Sequence, residues 1–444
     1  MKSSSAKQVQ PGLADRGAPV SISPALALNG SVSRQRQFVA PVYVLLLFAA
    51  VPIRELGPSA VLWTAPSILL AAMLIAWAAE SAQFFVAQGF ALAILAWLQT
   101  LPEFAVEAVL AWKQQVPLLL ANLTGALRLL TGLGWPMIYF TAAMFHRART
   151  REKLQRITLE PMHSVEVVGL LACMAYAAVI WWKGTLDLLD AFVLIAIYGA
   201  YLSILRRMPP ESREGIEELE QIPRTIVKSR RPVRIGLIIS FFVSGGALIY
   251  FMAEPFLGSL LALSAVLSVP NFVFVQWVAP FVSELPEKVS AFYWARTVDR
   301  ASMSLMNMVS SNINQWTLLA AMLAIVFSWS NGAPSTIAFD EQQRLEILMT
   351  LGQSLIGTLF LINMELVWWE AGALFVLWLV QFALSPVPPG PGFWGTIAGH
   401  IHRYITLTYL LWSGVEILRM LLGWRKPLAF QLFAEMWRTH VRRR

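Results

Sequence analysis

Gln99-Thr100-Leu101-Pro102-Glu103 and Ser283-Glu284-Leu285-Pro286-Glu287 share one Leu-Pro-Glu core, and each run sits inside an otherwise apolar stretch. A charged residue at the centre of a membrane helix costs about 2.5–3.5 kcal/mol on insertion scales, so a carboxylate there is expected to have a function. The adjoining proline lacks an N–H, and its ring crowds the preceding turn. The carbonyl four residues earlier, on Leu98 and Val282, thereby loses its helical partner. A bare carbonyl, hydroxyls and a carboxylate at one level of a helix make a ligand set for a hard cation.

Composition places these runs in a bilayer. Of 444 residues, 57% are hydrophobic and only 14% charged, with a mean hydropathy of +0.60. We read apolar spans near 38–56, 59–83, 84–112, 116–145, 162–182, 185–205, 234–264, 268–294, 301–328, 343–364, 366–384 and 403–423. That makes about twelve, each long enough to cross as a helix. Strand-like alternation is absent, which argues against a barrel. The single cysteine, Cys173, excludes an intrachain disulfide framework. The net charge of +8 does not imply nucleic acid, because the basic residues lie mostly between the apolar spans. Arg147, Arg149, Arg151, Lys153 and Arg156 mark one loop, and a basic run from Arg224 to Arg231 marks another. The alternate loops carry little, so the positive-inside rule puts both termini in the cytosol of a multi-pass protein of the cell (inner) membrane.

Residues 1–37 read as a disordered cytosolic tail and 424–444 as a basic cytosolic tail. The stretch 206–233 reads as a cytosolic charged linker between two halves; its five glutamates, Glu211 to Glu220, leave a calcium-sensing patch as an alternative. Nineteen residues after Glu103 comes Asn122-Leu123-Thr124-Gly125-Ala126, and twenty after Glu287 comes Asn307-Met308-Val309-Ser310-Ser311-Asn312. Each half holds five spans, in 59–205 and 234–384. An odd number means that the second copy enters from the opposite face, as in many secondary transporters. The expected fold is an all-α polytopic membrane protein of two inverted five-helix repeats, with one extra helix at each end, 38–56 and 403–423.

The chain resembles the sodium/calcium exchanger family of the cation/calcium antiporter superfamily, whose repeats carry G-T-S-L-P-E and then G-N-x-x-G-S-N. The resemblance makes Glu103 and Glu287 the paired ion-binding carboxylates. Gln99 and Thr100 take the family's Thr and Ser positions, as Ser283 and Glu284 do in the second repeat. Asn122, Asn307, Ser311 and Asn312 match its asparagine motif, and Gln315 stands one turn beyond. Ser304, Asn307, Ser311 and Gln315 also follow one another at steps of three, four and four, a polar stripe along one helix face. Glu254 resembles the family's Ala-Glu pair, and Glu80 is a weaker counterpart. Ala126, Leu127 and Leu130 depart from the pattern. So do the extra charges Glu107, Glu284 and Arg128; an arginine at that depth needs a carboxylate partner, for which Glu103, Glu107 and Glu284 are the candidates, Glu107 and Glu284 foremost.

The expectation is a secondary active antiporter, not an enzyme, that exchanges calcium or a similar cation for sodium or protons by alternating access. It would need no cofactor, only the lipid bilayer and the transported cations. A non-transporting membrane sensor or assembly protein on the same scaffold is the alternative. No HExxH, GxSxG or phosphate loop is present, and His400-Ile401-His402 stands beside a Pro-Gly loop with no third ligand nearby.

Overall fold

The computed structural model describes residues 57–82, 85, 97, 98, 100–208, 216 and 219–442. The expected tail 1–37, the helix 38–56, Gln99, Glu211, Glu214, Glu217 and Glu218 lie outside them. Among the described residues, seven helical runs are long and apolar enough to cross a membrane, and Asn271–Ser283 and Trp368–Leu384 are shorter apolar helices.

The first repeat opens with α1 (Val61–Ala82) and resumes at α2 (Leu101–Trp112). Next comes α3 (Val116–Leu129), which passes through a π-helical turn at Leu130–Gly134 into α4 (Trp135–Thr150). A short strand β1 (Arg156–Thr158), α5 (Ser164–Lys183), β2 (Thr185–Leu186) and α6 (Leu188–Leu205) complete it. After α7 (Gln221–Lys228) the pattern recurs with α8 (Arg231–Val266), α9 (Asn271–Ser283) and α10 (Leu285–Ala295). Then α11 (Ala301–Asn314), a π turn at Gln315–Leu319 and α12 (Ala320–Ser330) follow. The series closes with β3 (Ile337–Ala338), α13 (Glu341–Leu361), β4 (Glu365–Val367) and α14 (Trp368–Leu384).

Strand pairing establishes the inversion. Helix α5 runs from β1 to β2, and α13 runs from β3 to β4. Yet β1 pairs with β4, Ile157 opposite Leu366, while β2 pairs with β3, Leu186 opposite Ile337. The start of α5 is therefore level with the end of α13, and the two helices run in opposite directions. Local chemistry repeats as well. Asp340 caps α13 by accepting from the Gln343 amide at 2.7 Å, and Asp187 caps α6 by accepting from Leu189 at 2.9 Å.

The two repeats interlock. Helix α1 lies along α8, α3 along α9, and α2 along α12. Gly125 permits the second contact: a Cβ there would stand 1.9 Å from the backbone oxygen of Gln276. Two segments differ from their expected form. The last long helix, α15 (Phe393–Leu421), begins ten residues before the apolar span at 403, and it packs on α13. Beyond it, the basic tail folds into α16 (Leu428–Met436) against α5. Arg425 anchors this turn by donating to Glu370 at 2.7 Å, Glu416 at 2.9 Å and the Phe360 carbonyl at 2.8 Å. The expected Glu416–Arg419 pair forms at 2.8 Å. The linker is partly docked too, with Pro223, Ile226 and Val227 of α7 buried and α7 against α1.

Candidate functional site

The second Leu-Pro-Glu run breaks its helix at Glu284, and in the first run Thr100 holds the matching place. Thr100, with φ −86° and ψ −3°, precedes α2, and Glu284, with φ −92° and ψ −2°, joins α9 to α10. The proline follows within the first turn of each new helix. This is the arrangement that proline chemistry predicts. It leaves Glu103 and Glu287 in the first turns of α2 and α10.

All four carboxylates of this region, Glu103, Glu107, Glu284 and Glu287, are buried. Glu284, Glu107 and Glu287 all act electrostatically on Glu103. Helix α11 and its π turn supply the donors. Gln315 Nε2 donates to Glu103 Oε2 at 2.7 Å and to Glu284 Oε1 at 3.0 Å, joining the two repeats through one amide. Ser311 donates to Glu287 Oε1 at 2.5 Å. Asn314 donates to Thr100 Oγ1 at 2.5 Å. Asn312 reaches across to the Leu127 carbonyl at 3.4 Å and Thr131 Oγ1 at 3.3 Å. In the first repeat Asn122 donates to Glu107 Oε1 at 3.1 Å. Ser283 donates to the Ala279 carbonyl of its own helix at 3.1 Å, and Asn307 is buried on α11.

What these donors leave over decides the chemistry. Glu103 Oε1, Glu107 Oε2, Glu287 Oε2, Asn122 Oδ1, Asn312 Oδ1, Asn314 Oδ1 and Gln315 Oε1 are buried oxygens that accept no hydrogen bond from the protein. Buried polar atoms are ordinarily satisfied. An excess of acceptors, all oxygen, suits a hard cation. Among the described residues no three His, Cys, Asp or Glu side chains form a metal cluster, so such a set mixes carboxylate with amide oxygens.

Several residues here escaped the sequence reading. Asn314 stands seven residues after Asn307, a helical repeat that could have revealed it. Lys288, next to Glu287, is buried and donates to Glu284 Oε2 at 2.5 Å. The weaker of the two Ala-Glu matches is the buried one: Glu80 accepts from Ser290 of α10 at 2.8 Å, whereas Glu254 is exposed and pairs with Lys113 at 2.5 Å.

Arg128 does pair with a membrane carboxylate, but the partner is none of Glu103, Glu107 and Glu284. Its Nη1 donates to Glu346 Oε2 of α13 at 2.7 Å. Gln276 donates to the same oxygen at 2.9 Å, and the guanidinium lies over the Trp277 ring at 5.4 Å. Glu346 Oε1 also pairs with His402 Nδ1 of α15. The reason is local: α3 packs on α9 and α13, while Asn122 already engages Glu107 and Lys288 engages Glu284.

Two inverted repeats that each bring a helix opening on a Leu-Pro-Glu run to a buried polar centre define a secondary transporter rather than an enzyme. The model of the sodium/calcium exchanger protein family matches residues 59–206 and 237–385, and the chain belongs to that family. Among solved structures it is similar to an H+/Ca2+ exchanger, CAX, at 28% identity over 92% of this chain and 98% of that one, with a TM-score of 0.78. It is also similar to the sodium-calcium exchanger NCX_Mj soaked with 10 mM Na+ and zero Ca2+. That match has 17% identity, covers 74% of this chain and 98% of that one, and has a TM-score of 0.51, a likeness of fold. Comparison with curated proteins finds no match.

Proposed function

We propose that the chain is a secondary active antiporter exchanging calcium, or a cation of similar size and charge, for sodium or protons by alternating access. The observation that carries this reading is the set of buried, donor-free oxygens where the two Leu-Pro-Glu runs face α11. Glu103 and Glu287 would bind the cation, with Thr100, Ser283, Asn122, Asn307, Ser311, Asn312, Asn314 and Gln315 completing or orienting the shell. The long helices α1 and α8, packed on each other, would rock against the site-bearing helices to expose it to either side. The 28%-identical H+/Ca2+ exchanger supports calcium as cargo and protons as the counter-ion. Both termini lie in the cytosol of the cell membrane on this reading, because the basic residues around β1 fall on that side.

The test is flux in proteoliposomes loaded with a calcium indicator, with sodium and proton gradients imposed separately. Calcium should move against one of those gradients. Either Glu103→Gln or Glu287→Gln should reduce its rate at least about a hundredfold, the loss expected when a carboxylate ligand to the cargo becomes an amide. No calcium movement under either gradient sinks the proposal and favours a non-transporting sensor.

A further inference from the structure

Three of the four buried carboxylates keep one oxygen without a protein donor, and Glu284 does not. Its Oε2 accepts from Lys288 Nζ at 2.5 Å and its Oε1 from Gln315 Nε2 at 3.0 Å. Lys288 is one helical turn from Glu284, and its side chain is 3% exposed. It also acts electrostatically on Glu287. At the matching first-repeat places, 184 residues earlier, stand Thr100 and Phe104. The second repeat has thus gained one negative and one positive charge, and they face each other.

Resting on the transport reading above, we propose that Lys288 is a tethered cation of the ion site. It occupies Glu284 permanently and keeps that carboxylate out of the set that binds cargo. Glu284 is then a positioning residue: with Lys288 holding one oxygen, its other oxygen fixes the amide of Gln315, which in turn aims Glu103. The carboxylates left with a donor-free oxygen beside this pair are Glu103, Glu107 and Glu287. Without Lys288, Glu284 would add a further uncompensated negative charge beside those carboxylates. The site would attract divalent ions more strongly, and release them less readily.

Equilibrium binding of radioactive calcium to the purified full-length protein tests this. Lys288→Met is expected to tighten calcium binding about tenfold or more, as removal of a unit charge at close range in a low-dielectric site predicts. Lys288→Arg should stay within about threefold of the parent, because the charge is kept. The decisive variant is the double substitution Glu284→Gln with Lys288→Met, which removes both charges and leaves no buried ion unpaired even if Lys288→Met alone misfolds. Calcium binding within about threefold of the parent is expected for it if Glu284 is not a ligand; a loss of about tenfold or more makes Glu284 a ligand and overturns the assignment. A folded Lys288→Met protein that binds calcium no more tightly also overturns it. Normal calcium binding by the parent with either of those results leaves the transport reading standing, whereas a parent that binds no calcium removes both.

Discussion

Helix α3 of the first repeat and α11 of the second hold the same place in their repeats, and each runs into a π turn 185 residues from the other. Their side chains have diverged. Where α11 and its π turn carry Ser311, Asn312, Asn314 and Gln315, α3 and its π turn carry Ala126, Leu127, Leu129 and Leu130. Where α11 has Ile313, α3 has Arg128, turned to Glu346 and away from the carboxylate cluster. The backbone of a repeat, including its π turn, is therefore compatible with a side-chain set that lacks these hydroxyl and amide groups. The donors that orient the carboxylates come largely from the second repeat, while the first contributes Arg128 to a buried ion pair with Glu346 of α13. A π turn opens the regular helical ladder, and both repeats keep it even where Leu130 offers no ligand.

The largest expected effect of breaking this comparison is on Arg128. Removing one partner of a buried ion pair strands the other, which costs about 3–5 kcal/mol. Arg128→Met should lower thermal stability in detergent by that order, and adding Glu346→Gln should restore most of it. Ile313→Ala, at the matching place in α11, removes only apolar packing and should cost about 2–4 kcal/mol with no rescue by Glu346→Gln. An Arg128→Met protein that melts with the parent would show that the pair is not the first repeat's anchor.

Gly125 and Ser310 form the next matched pair. An added methyl at Gly125 meets the Gln276 backbone, which cannot swing aside as a side chain can, so Gly125→Ala should cost about 1–3 kcal/mol by overpacking. Ser310 shares a 3.0 Å hydrogen bond with the Tyr201 hydroxyl, and Ser310→Ala should cost only about 1 kcal/mol. Chemical denaturation of both variants checks the order. The reverse order would mean that α3 does not lie as close to α9 as its glycine allows.

The divergence of function is sharpest at Ser311 and Ala126. Ser311 donates to Glu287, and a hydrogen bond to a charged group contributes about 1.5–3 kcal/mol. Ser311→Ala should weaken cation binding about tenfold by calorimetry, whereas Ala126→Ser should change it less than about threefold, a shift within the reach of one weak polar contact. Equal effects would mean that the first repeat still orients the ion.

Periodicity and the doubled motif made the repeats and the buried carboxylates legible from residue order, whereas the span read at 268–294 divides into α9 and α10. Partners across the bundle were not legible. Arg128 was recognisably in need of a carboxylate, but Glu346 lies 218 residues away, and no spacing rule connects α3 with α13. His402 looked inert because its partner comes from another helix. Lys288 adjoins Glu287, but its burial and its pairing with Glu284 become visible only in the folded chain. The folded tail was hidden for a different reason: the buried role of Arg425 depends on Glu370 and Glu416 meeting it in space, and sequence shows only a basic run.

The smallest effect concerns the turns that lead into α3 and α11. Gln114 and Val298 hold matching places and share a left-handed backbone, with φ of 55° and 71°. Glutamine tolerates this poorly and a β-branched valine worse, because its two γ-methyl groups crowd the flanking carbonyls. The backbone still has to turn there, since the Ala301 amide donates to the Val298 carbonyl at 3.0 Å and begins α11. Asparagine adopts this conformation far more readily than either. Val298→Asn should therefore stabilise the protein by about 0.5–1 kcal/mol, and Gln114→Asn by less, as relief of left-handed strain of this size predicts. Differential scanning fluorimetry of the two variants measures the difference. A larger gain at Gln114 would show that the strain is not carried by the valine, and that the second repeat's turn is as relaxed as the first's.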